Sequence, residues 1–230
     1  MLFQVDSLNQ VTTDGVEQIE SIRLVEVISR MGVIGWVIMA ILFILLLISV
    51  YLTVERYVTI KKAGKVNPNF MNEIRGHVLN GKVDAARAIC LRENTPISRM
   101  IEKGVMRLGK RLNDVNAAVE NVGNLEVAKL EKNLSTLATI AGAAPMLGFL
   151  GTVTGMINAF YKLSAAGSQI DTGQLAGGIY EALFTTAFGL AVGIVAYISY
   201  NWLVSVMQKV VFRMEANSVE FIDLIQEPSR

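Results

Sequence analysis

One cysteine, Cys90, and one histidine, His77, are all the thiol and imidazole that 230 residues contain. An internal disulfide is thereby excluded, and no zinc-binding set is present. Standing alone in helical stretches, both residues read as structural. Acidic and basic side chains nearly cancel at a net charge of +1, so the charge balance makes no case for nucleic acid or an acidic substrate. A phosphate loop, a paired-acid site and a nucleophile–base constellation are also missing. Neither enzymatic chemistry nor a cofactor is expected.

Charge itself is missing from long stretches. Residues 33–54 hold none, and at 1.5 Å per residue they make a helix of about 33 Å, enough to cross a hydrocarbon core of about 30 Å. The run is too long for the apolar part of a signal peptide and follows a mixed-charge segment, so it reads as a retained span. Residues 134–161, between Lys132 and Lys162, are uncharged over about 42 Å. Residues 175–207 carry one acid, Glu181. The last two runs exceed the bilayer by several turns, which predicts helices projecting beyond it.

The flanks set the orientation. Arg23 and Arg30 precede the first span among Asp6, Asp14, Glu17, Glu20 and Glu26, whereas Arg56, Lys61, Lys62 and Lys65 follow it. Basic flanks stay in the cytoplasm, so the N-terminus is expected outside and the C-terminus inside. Lys129 and Lys132 before the second span, and Lys209 and Arg213 after the third, agree.

The expected fold is an all-α integral membrane protein with three transmembrane helices. Its parts are an outer N-terminal segment at 1–32, a first span at 33–54 and a helical cytoplasmic domain at 55–133. A second span at 134–161, an outer loop at 162–174, a third span at 175–207 and a cytoplasmic C-terminal helix or tail at 208–230 complete it. Residues 16–28 read either as an amphipathic surface helix or as an ordinary extramembrane one. Within the cytoplasmic part, one helix covers 81–90 and stops at Asn94-Thr95-Pro96. Another starts at Ile97 and presents Ile97, Ile101, Val105 and Leu108. A third is capped by Asn113-Asp114, presents Val119, Val122, Leu125 and Leu130, and meets no stop signal before the second span.

Glu181 is the costly residue, since an ionisable group inside a membrane helix carries a penalty of roughly 2.5–3.5 kcal/mol on insertion scales. Such a group normally faces a bundle interior or a watery path, and Thr185, Thr186, Gly189 and Gly193 lie near it. In the second span Gly148, Gly151, Thr152, Gly155 and Ala159 form a small-residue stripe, with Gly151 and Gly155 as a GxxxG pair. Ala182, Thr185 or Thr186, Gly189, Gly193 and Ala196 repeat the device in the third. Close helix packing explains such stripes without any further function. Pro145 removes a backbone donor and predicts a kink. Counted from the outer loop, Thr152 lies about 14 Å deep and Thr186 about 17 Å, with Glu181 nearer the outside at about 9 Å. At 100° per residue Glu181 and Thr186 are about 140° apart, so only one of them can point straight into a lumen.

The stretch from Ala144 to Met156, APMLGFLGTVTGM, resembles the second-span signature of the MotA/TolQ/ExbB proton-channel family. IYEALFTTAFGLA, from Ile179 to Ala191, resembles its third-span signature, and Gly81, Ala85-Ala86, Cys90, Pro96 and Gly104 are spaced as in that family. Three spans with an outside N-terminus resemble the ExbB and TolQ branches. The resemblance implies a multi-pass protein of the bacterial inner membrane that forms a pentamer. Its second and third spans would enclose two single-span helices of an ExbD-like partner, and that partner would carry the proton-binding aspartate. Thr152 and Thr186 would correspond to lumen hydroxyls, Glu181 to the third-span acid and Pro145 to the second-span proline. The work would reach a TonB-like protein, or the Tol system in a TolQ-like role. Thr154, where a Trp is usual, and an unusually apolar first span depart from the pattern. Two readings of other kinds stay open: a self-contained channel, and a membrane scaffold in which Glu181 is merely paired.

Overall fold

In lipid a segment must satisfy its own backbone groups, and uncharged runs of this length do so as helices. The computed structural model of the chain describes residues 32–165 and 172–226, with seven helices and no strand among them. They are α1 (Val33–Ala63), α2 (Phe70–Leu79), α3 (Val83–Glu93), α4 (Pro96–Val105), α5 (Leu112–Glu131), α6 (Leu134–Ala165) and α7 (Thr172–Gln226). α1, α6 and α7 each contain a stretch long and apolar enough to cross a membrane. The segment 16–28 and part of the outer loop lie outside the described residues.

The chain divides into two compact units, one made of the residues up to Leu45 with Ala143–Val192, the other of Leu46–Gly142 with Gly193–Arg230. The second unit is built around Ile60, Phe70, Ile74, Ile97, Ile101, Val105, Val119, Leu203, Met214 and Phe221, all buried. The three-and-four spacing of α4 therefore packs inward at Ile97, Ile101 and Val105, while Leu108 lies beyond the helix and is partly buried. Asn94-Thr95-Pro96 both stops α3 and starts α4. Asn94 adopts a left-handed φ of 46°, Pro96 sits in the first turn, and Thr95 and Ser98 form a reciprocal capping box. Tyr57 stacks on Trp202 with ring centroids 4.8 Å apart, and Arg213 Nη1 donates to the Gly64 carbonyl at 3.1 Å.

Cys90 is buried in the same core, and burial, with Glu102 nearby, pushes its thiol up to about 12, away from nucleophilic character. Gly104 has no room for a side chain: a Cβ there would overlap the Phe221 ring and come within 2.8 Å of Val119 Cγ2. Gly104→Ala should destabilise this unit by about 1–3 kcal/mol, the usual range for overpacking, seen as a lowered apparent Tm of the purified protein.

The structure departs from the sequence reading at several points. The first span lies in a helix that continues to Ala63, because the end of an apolar run marks where lipid contact ends rather than where the helix must stop. The uninterrupted helix expected through 113–161 is instead broken: α5 ends at Glu131, and Asn133 takes a φ of 66° before α6 starts. Asn tolerates that left-handed conformation better than most residues, so the break was encoded at Asn133. Arg111 rather than Asn113-Asp114 occupies the α5 N-cap position, with no side-chain cap bond. Leu125 is exposed rather than packed with Val119 and Leu130. The segment from 208, expected as a helix or tail, is helical as far as Gln226, where it continues α7 without a break over 55 residues in all.

Candidate functional site

Within the first unit α6 and α7 meet through residues that barely have side chains. Proceeding along α6, Gly148 lies against Gly189, Gly151 against Thr185, Gly155 against Ala182 and Ala159 against Gly178, so the helices are antiparallel. A Cβ on Gly189 would sit 2.7 Å from the Ala144 carbonyl oxygen and 2.8 Å from Gly148 Cα. One on Gly155 would be 3.1 Å from Ala182 Cβ, and one on Gly178 would be 2.6 Å from Ala159 Cβ. Spacings of three and four put these residues on one face of each helix, and without large side chains the two backbones touch. Gly193, one turn beyond Gly189, is buried in the second unit. Pro145 lies inside α6, which is helical on both sides of it.

Four hydroxyls lie along this pair. Thr185 is buried against Gly151 and donates to its own helix at the Ala182 carbonyl, 2.8 Å away. Thr186 donates across the pair to the Gly148 carbonyl at 2.8 Å. Thr152 donates to the Phe149 carbonyl at 2.6 Å, and Thr154 to that of Leu150 at 2.9 Å. Because Gly151 meets Thr185, Thr152 and Thr186 come to one level of the helix pair. Thr152 lies off the packed stripe. With Val153, Met156, Ile157 and Phe160 it lines an open, almost wholly apolar depression on α6.

Glu181 points elsewhere, as the angle between it and Thr186 requires. Its Oε1 accepts the backbone N–H of Gly32 at 3.1 Å, at the head of α1. The N–H groups that open a helix have no partner within it, and the helix dipole favours an anion there. A cleft of about 430 Å³ surrounds the carboxylate, with Gly35, Thr154, Asn158 and Tyr161 among its walls. Glu181 and Thr186 are thus both engaged within the chain, one with α1 and one with α6. Sequence reasoning missed Gly32, Gly35 and Asn158. Gly32 and Gly35 at the start of an apolar run were the available signal; Asn158 offered none beyond a lone amide near the end of the second run.

Comparison with known proteins places these helices in context. The MotA/TolQ/ExbB proton channel family model matches residues 92–216, more than half of the chain. A protein named as a biopolymer transport protein ExbB homolog in Methanothermobacter thermautotrophicus is 37% identical over 54% of this chain and 43% of its own length. Biopolymer transport protein ExbB of Xanthomonas campestris pv. campestris is 35% identical over 50% of this chain and 46% of its own. The Tol-Pal system protein TolQ of Haemophilus influenzae is 39% identical over 48% of this chain and 43% of its own. In each case the match spans less than half of the relative. The matched region holds α6 and most of α7, with Thr152, Glu181 and Thr186, and from these residues and that match the chain belongs to the MotA/TolQ/ExbB proton channel family, whose members are multi-pass membrane proteins.

Proposed function

We propose that this chain is an ExbB-type subunit of a motor driven by the proton-motive force across a bacterial inner membrane. Its N-terminus lies outside, and most of α2 to α5 and the end of α7 lie in the cytoplasm, as the basic flanks require. Five copies form a ring whose second and third spans surround two single-span helices of an ExbD-like partner, and the output reaches a TonB-like protein. Thr152, Thr186 and Glu181 belong to the proton pathway. Pro145 bends the second span, and Gly148, Gly151, Gly155, Gly189 and Gly193 set the helix packing. The chain makes and breaks no covalent bond; a partner carboxylate takes and releases the proton.

The observation that carries this reading is the way α6 divides its surface. Its glycine face is used up against α7 inside one subunit, while Thr152 lies on an open apolar face fit for a partner's apolar helix. A channel conducting by itself would need its own selectivity ring, and that face offers one hydroxyl among apolar side chains.

Glu181→Gln and Thr152→Ala should each lower proton-driven uptake several-fold while the ring still assembles. Normal uptake in both variants would sink the assignment. Native mass spectrometry of the gently extracted complex tests the stoichiometry, five copies with two smaller chains being expected. The similarity to TolQ supports a second reading, coupling to the Tol-Pal system. A Tol-type rather than TonB-type third chain in the same spectra would select it.

A further inference from the structure

The hydrogen bond from Gly32 to Glu181 joins the head of α1 to the only acid within the apolar part of α7. Such a bond needs the carboxylate to lie directly on the helix end, and the residue one turn into α1 permits it. A Cβ on Gly35 would overlap Glu181 Oε1 and lie 3.1 Å from its carboxyl carbon and 3.5 Å from its Cγ. At Gly32 the same construction meets Asn158 Nδ2 at 3.4 Å and Glu181 Oε1 at 3.7 Å, and Asn158 lines the same cleft as the carboxylate. Gly32 and Gly35 thus form a seat open on the side where Glu181 enters.

We propose that Gly35 is a positioning residue for Glu181: its missing side chain leaves the space in which the carboxylate reaches the head of α1, so that α1 belongs to the functional site of α6 and α7. Both glycines lie outside residues 92–216, the stretch that the family model matches. The atom in conflict is the far end of a flexible side chain rather than backbone. A methyl group at residue 35 therefore swings the carboxylate away at little cost in folding. This separates Gly35 from Gly148 and Gly189, where the conflict is with main chain.

The link to activity rests on the function proposed above, so the test has one readout that does not. In the complex held in lipid nanodiscs, hydrogen exchange of the peptide carrying Gly32 to Gly35 reports the bond directly. Gly35→Ala should speed that exchange several-fold while α7 peptides beyond Leu190 and the apparent Tm stay at wild-type values. Unchanged exchange overturns the proposal whatever the motor does. Proton-driven uptake is then measured in Gly35→Ala, Glu181→Asp and the double variant. A several-fold loss in Gly35→Ala, partly restored when the shorter Asp side chain clears the added methyl, is the expected result. Wild-type uptake in Gly35→Ala, or a double variant no better than the worse single one, overturns the positioning role. If none of the variants, Glu181→Gln included, affects uptake while exchange responds as expected, the seat stands as geometry but its role in positioning a working residue is overturned with the function assigned to Glu181.

Discussion

Gly189→Val should leave little folded protein in a membrane extract, whereas Gly177→Ala should extract and melt like the unchanged chain. Both are helical glycines of α7, and composition alone treats them alike. At Gly189 a Cβ would stand 2.7 Å from the Ala144 carbonyl oxygen, 2.8 Å from Gly148 Cα and 3.0 Å from Gly148 N. These are backbone atoms and cannot turn aside, so the two helices must separate. At Gly177 nothing lies within 4 Å. Overpacking costs about 1–3 kcal/mol where side chains can adjust, and a conflict with main chain lies at the upper end or beyond. The damage spreads, because separation also stretches the Thr186–Gly148 hydrogen bond and unseats Thr185 from Gly151. Apparent Tm and the yield of intact complex on size exclusion are the measurements. A Gly189→Val protein that melts with the wild type would show that α6 and α7 do not meet at these glycines.

The second large effect is expected at Arg99. Glu126 of α5 is buried, with about 3% of its surface exposed, and has two cationic partners. Arg99 Nη2 donates to Oε2 and Lys129 Nζ donates to Oε1 at 2.6 Å. Arg99 Nη1 also donates to the Asn94 main-chain oxygen at 3.1 Å and to its side-chain oxygen at 2.9 Å. One guanidinium thus ties the end of α3 to α5. Arg99→Met leaves the buried carboxylate with only the more exposed lysine, and losing a charge-assisted hydrogen bond to a buried group typically costs about 1–3 kcal/mol. The Arg99→Met/Glu126→Leu double variant should recover much of the loss, because no buried charge is left behind and Lys129 is exposed. If it were as unstable as the sum of both single changes, the pair would have no energetic coupling.

The same network predicts a pH dependence. Burial works against the charge on Glu126, but the hydrogen bonds and charges of Arg99 and Lys129 together outweigh it and hold the carboxyl below its ordinary value of 4.5. With the folded value depressed, its contribution to stability is fully present above pH 4.5 and is lost as pH falls from there through the lower folded value. The apparent Tm should therefore fall with acidification more steeply in the wild type than in Glu126→Gln. Parallel profiles would show that Glu126 is not held below its ordinary range.

Much of this molecule can be read from residue order because the governing physics is local. Uncharged runs of bilayer length must be helical, Asn94-Thr95-Pro96 contains both a stop and a cap, and glycines spaced by three and four share a face whatever surrounds them. The break at Asn133 was local too, although a single asparagine between two good helices is a weak signal. Partners were another matter. Spacing showed that Glu181 and Thr186 diverge on α7 but could not say toward what. Their neighbours, Gly32 and Gly148, are 149 and 38 residues away in the chain. Which of the small residues faces a helix and which an open surface likewise depends on where α6 comes to rest. Sequence alone determined the helices, the membrane-spanning stretches and the small-residue stripes. Only tertiary structure decided that Thr152 stands off the packed stripe and that Glu181 meets the head of α1, because both are set by distances between segments that no local periodicity encodes.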